Sequence, residues 1–138
     1  MLAKILWFTG SAIFLALGTL HLYYTFFSNK FAARNKAVVT AMKNTTPVLT
    51  NETTMWNAWI GFNASHSAGA IFIGLINIII VVQYFPFLQN SMILLLLNNV
   101  TVIFYCWLAS KYWFRVPFTG ILITTGCFVA ASIIIFVS

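Results

Sequence analysis

His21 and His66 are the two histidines of the chain. The second stands in the run Trp59-Ile60-Gly61-Phe62-Asn63-Ala64-Ser65-His66-Ser67-Ala68-Gly69, whose polar groups interrupt a stretch otherwise apolar enough to cross a membrane. Hydrocarbon offers no water to bond, so each of these groups must find a partner in the protein, a ligand or a wet cavity. An imidazole in that position can ligate haem iron, relay a proton, or hold a ligand through hydrogen bonds. Asn63 lies one helical turn before His66, and Asn98 and Tyr105 carry further polarity on a later apolar segment. His66, His21, Asn63, Asn98 and Tyr105 are therefore the candidate cofactor-binding residues; no residue is assigned as catalytic or as a metal ligand.

Two histidines on two helices raise bis-imidazole ligation of haem b, in which each ring takes one axial position. Counting residues sets His21 and His66 ~7 Å apart along the membrane normal, an offset that tilt would have to absorb. A quinone or lipid-like ligand suits an imidazole, amides and aromatic walls without requiring equal depth. Metal-assisted hydrolysis lacks both an acidic residue within a span and an HExxH-like spacing. Proton pumping lacks the same carboxylates. Cys106 and Cys127 form no metal-binding spacing and read as buried free thiols.

The elements that must position these groups follow from composition. In 138 residues, 62% are hydrophobic and one is acidic, so the chain cannot clothe itself in a water-soluble surface. Its net charge of +6 sits at segment ends, where it meets lipid headgroups, so nucleic acid is not the expected partner. Four apolar segments, about 5–27, 56–82, 91–110 and 116–137, each approach or exceed the ~20 residues that span a ~30 Å core as a helix. The expected fold is an all-α integral membrane four-helix bundle forming a single domain. The first run continues through Phe27, longer than a signal-peptide core, and reads as an uncleaved anchor.

Lys30, Arg34, Lys36 and Lys43 fall between spans one and two, and Lys111 and Arg115 between spans three and four. The positive-inside rule places both connections, 28–55 and 111–115, in the cytoplasm and both termini outside. Within the first connection, Ser28 to Lys43 reads as a short interfacial helix with Phe31, Val38, Val39 and Met42 on its apolar stripe. Thr50 or Asn51 is the expected cap of the second span, with Glu52 in its first turn. Pro117 suits the first turn of the fourth.

Helical spacing gives three of the spans a polar seam: Ser11, Gly18, His21 and Thr25; Trp59, Asn63, His66 and Ala70; Asn98, Thr101 and Tyr105. Counted from the same membrane face, His66 and Asn98 both lie ~16–18 Å deep, which predicts that they meet. For Asn98, Asn99, Thr124 and Thr125, bonding between helices is the simpler reading, whereas His66 stands between packing and ligand binding. Gly61, Ser65 and Gly69 make a small-xxx-small face, expected to admit a tight neighbouring helix.

The segments Gly18-Thr19-Leu20-His21-Leu22-Tyr23-Tyr24-Thr25-Phe26-Phe27 and Ala41-Met42-Lys43 through Thr53-Thr54-Met55-Trp56 to Gly61-Phe62-Asn63-Ala64-Ser65-His66-Ser67 resemble a family of small, uncharacterised bacterial four-helix membrane proteins. The resemblance covers about the first half of the chain. It implies a bacterial inner membrane and adds no catalytic assignment. The expected role is a small non-catalytic multi-pass protein, either an accessory subunit or a binder of a small hydrophobic ligand. Membrane lipids and other membrane subunits are its expected partners. The alternative is a membrane redox protein or enzyme using His21 and His66 around haem b or a quinone.

Overall fold

A backbone in hydrocarbon must satisfy its own N–H and C=O groups, and a helix does so within a single segment. The computed structural model, which describes residues 1–137, is accordingly all-α: α1 Leu2–Phe27, α2 Lys36–Asn44, α3 Met55–Gln83, α4 Phe85–Asn90, α5 Met92–Tyr112 and α6 Arg115–Val137. Four of these, α1, α3, α5 and α6, are long and apolar enough to cross a membrane, and the chain is a multi-pass membrane protein. The connection at Tyr84–Asn90 is itself mostly the short helix α4, with Pro86 near its start. Buried positions recur at alternating spacings of three and four, as in Ala3, Trp7, Gly10 and Phe14 of α1 or Asn63, Ser67, Ala70, Gly74, Asn77 and Val81 of α3. Such seams face neighbouring helices. Large apolar side chains such as Phe72, Ile93, Phe104 and Phe136 stay exposed, as a surface meant for lipid requires.

The chain divides into two compact units. The first holds α1 up to Leu17 and the chain from Ala70 onward, so four long helices contribute to it. Its core stacks the Trp7 indole on Phe128, with ring centroids 4.4 Å apart and planes 8° from parallel. Glycine is required where backbones meet: a Cβ on Gly74 would stand 2.7 Å from the Leu15 backbone nitrogen. The close approach expected of Gly61, Ser65 and Gly69 is made at Gly74 instead. Gly61 and Ser65 are exposed, and a Cβ on Gly61 or Gly69 would meet no described atom within 4 Å.

The second unit, Gly18–Gly69, comprises the end of α1, the connection containing α2, and the start of α3. Here the expected helix from Ser28 is shorter and begins at Lys36, because the Asn35 side chain accepts from Ala37 N at 2.9 Å and caps it. The freed residues 28–35 fold back along the helices. Trp59 Nε1 donates to the Phe31 carbonyl at 3.1 Å, and the Phe31 ring lies against His21. The start of α3 is capped by Thr54, whose hydroxyl accepts from Asn57 N at 3.2 Å, in place of Thr50 or Asn51; Glu52 precedes the first turn.

Candidate functional site

The second unit brings His21, Asn63 and His66 together. A helical side chain leans toward the N-terminus of its own helix, so on the antiparallel α1 and α3 these two imidazoles lean toward each other. That lean closes the offset expected from counting residues. Their ring centroids are 5.5 Å apart, edge to face at 69°. On α3, Asn63 is one turn nearer than His66 to the helix start, and its Oδ1 stands 2.9 Å from His21 Nε2.

The direction of that bond is fixed by the other end of the amide. Asn63 Nδ2 lies 2.8 Å from the Trp59 carbonyl, which can only accept, so the nitrogen must be there and Oδ1 must face the imidazole. His21 Nε2 therefore carries a hydrogen and donates. In the neutral ring, Nδ1 is left with the lone pair. His21 and His66 are both half-buried, as a group that meets a ligand must be. Phe31 lies 4.3 Å from His21, and Phe62 stacks 6.3 Å from His66. The neighbouring hydroxyls turn away: Thr25 donates to the His21 carbonyl, Ser65 to the Phe62 carbonyl and Ser67 to the Asn63 carbonyl. These are backbone bonds within single helices and leave the imidazoles as the polar centre.

This geometry does not fit haem b. Axial imidazoles approach one iron from opposite faces with the macrocycle between them. Here the rings meet edge to face, Nε2 of His21 is engaged by an amide, and Phe31 lies against the same ring. Among the described residues, no group of three or more His, Cys, Asp or Glu side chains is placed to hold a metal ion.

Asn98 and Tyr105 belong to the first unit. Asn98 Oδ1 accepts from Asn77 Nδ2 at 2.7 Å, and Asn77 Oδ1 accepts from Trp7 Nε1 at 2.9 Å, which links α1, α3 and α5 in one chain of bonds. Tyr105 lies edge-on to Phe14 at 5.1 Å and to Trp113 at 6.3 Å. The expected meeting of Asn98 with His66 gives way to the pairing with Asn77. The reason is length: α3 has 29 residues against 21 in α5, so equal counts from one face are ~12 Å out of register at the other. Asn77 carries no conspicuous motif. Its signal was the continued seam of Asn63, Ala70 and Asn77 at seven-residue steps. Cys106 and Cys127 are free, and they are half-buried rather than buried.

No protein-family model, curated protein or solved structure matches the chain, so the functional reading rests on this geometry.

Proposed function

We propose that the protein is a non-catalytic multi-pass protein of a bacterial inner membrane that binds a small amphiphile, an apolar body carrying a hydroxyl donor, at His21, Asn63 and His66. The observation that carries this is the 2.9 Å bond from His21 Nε2 to Asn63 Oδ1, which commits one nitrogen of a half-buried imidazole and reserves the other as an acceptor. Phe31 and Phe62 supply apolar walls beside the two imidazoles. The residues behind the resemblance to small bacterial membrane proteins fall within 18–67, inside the unit that holds these side chains. A quinol is a fitting test ligand because it joins a hydroxyl to an apolar ring. Short-chain ubiquinol should quench tryptophan fluorescence in detergent micelles. Its dimethyl ether, lacking the donor, should bind about tenfold more weakly. Equal binding of the two, or binding of neither, would overturn the reading.

The distribution of Lys30, Arg34, Lys36, Lys43, Lys111 and Arg115 supports cytoplasmic connections at 28–55 and 111–115, with both termini outside. A membrane-impermeant thiol reagent applied from outside should label Gln89→Cys and miss Asn35→Cys; the opposite pattern inverts this orientation. Other membrane subunits would pack on the exposed apolar faces, where lipid is the competing neighbour.

A further inference from the structure

Between α2 and α3 the chain makes a braced turn whose tip is apolar. Thr50 N donates to the Pro47 carbonyl at 3.3 Å, closing the turn around Val48 and Leu49. Three further bonds hold it: Met55 N to the Thr45 carbonyl at 2.8 Å, Thr46 Oγ1 to Asn51 Oδ1 at 3.2 Å, and Glu52 N to Thr50 Oγ1 at 3.1 Å. The two tip side chains are 110% and 94% exposed, values matched among the described large apolar side chains only by Met1. The turn is held open, so little ordering remains to oppose their burial against something else.

We propose that Val48 and Leu49 insert into the lipid–water interface of the membrane that the protein itself spans, as an anchor for the second unit. Two observations select lipid as the occupant. Lys30, Arg34, Lys36 and Lys43 outnumber the single acid, Glu52, between positions 28 and 55, a balance that complements anionic headgroups. The connection is also tied back along the spans: Phe31 bonds Trp59, more than one turn inside α3, and Lys43 Nζ lies 5.4 Å from the Trp56 ring. Both ties hold it beside the helices that enter the bilayer. The apolar tip and the cations then act together, in the way that interfacial segments combine buried apolar area with attraction to anionic lipid.

A nitroxide at Leu49→Cys, in a Cys106→Ala/Cys127→Ala background, tests this in bilayers of equal parts phosphatidylglycerol and phosphatidylcholine. The ratio of collisions with oxygen to collisions with a nickel chelate should lie closer to that of a label at Phe72→Cys, on an exposed face of α3, than to that of free label in water. A ratio nearer the aqueous one overturns the proposal. A second version keeps both cysteines and places the photocrosslinker benzoylphenylalanine at position 49. It should yield phospholipid adducts, and adducts confined to protein, or none, would transfer the tip to a protein partner or to water.

Discussion

The two units use the same polar residue types in opposite ways. In the first, Trp7, Asn77 and Asn98 bond one another across three helices, and Thr124 and Thr125 reach the Gly10 and Val102 carbonyls of neighbouring helices. Its polar groups are fasteners, and glycine lets the backbones that carry them touch. In the second, an asparagine is bonded to its own helix and to one imidazole, and the histidines remain half-buried. Asn98, like Asn63, turns its Nδ2 to a carbonyl of its own helix, so the difference lies in the cross-helix partner: an amide in a membrane helix reads as structure when that partner is another amide or an indole. It reads as a site when it orients a titratable ring that keeps an open valence.

That contrast can be broken first at the backbones. Gly74→Ala should lower stability by about 3 kcal/mol, because its Cβ would meet backbone that cannot rotate away, at 2.7 Å from Leu15 N and 2.8 Å from Leu15 Cα. Detergent unfolding followed by circular dichroism measures it. Asn77→Leu should cost about 2 kcal/mol in the same assay, since it strands the Trp7 donor and one end of the Asn98 amide; Trp7→Phe/Asn77→Leu should recover part of that loss. His21→Phe tests the other side of the comparison. It should abolish ubiquinol quenching and cost about 1 kcal/mol, because it strands one acceptor on buried Asn63, and a fall as large as that of Asn77→Leu, which strands two groups, would make His21 a fastener as well. Asn99→Leu should fall within about 0.6 kcal/mol of the natural protein. Its Nδ2 donates to Leu95 O and Ser132 Oγ, but its buried Oδ1 has no partner among the described residues, so the two effects oppose each other. Gly61→Ala has open space and should raise stability by about 0.5 kcal/mol through helix propensity alone.

The spans were legible because composition leaves a backbone in lipid few choices, and α1, α3, α5 and α6 match the four apolar runs within a few residues at each end. What residue counting missed was register. Depth measured from one face assumes equal helix lengths, and the eight-residue difference between α3 and α5 carried Asn98 to Asn77. Side-chain lean, which a count of Cα positions ignores, brought His21 and His66 into contact. In the connection, apolar periodicity placed Phe31 on a helix stripe. The capping power of Asn35 prevailed, and Phe31 became a wall of the histidine group.

The central claim is that Asn63 sets the tautomer of His21, and nitrogen NMR of protein labelled at histidine reads it directly. With the ring neutral, Nε2 of His21 should resonate as a protonated, pyrrole-type nitrogen and Nδ1 as an unprotonated, pyridine-type one, and Asn63→Ala should remove that preference. A proton on Nδ1 with Nε2 bare, or a tautomer indifferent to Asn63→Ala, would contradict the account.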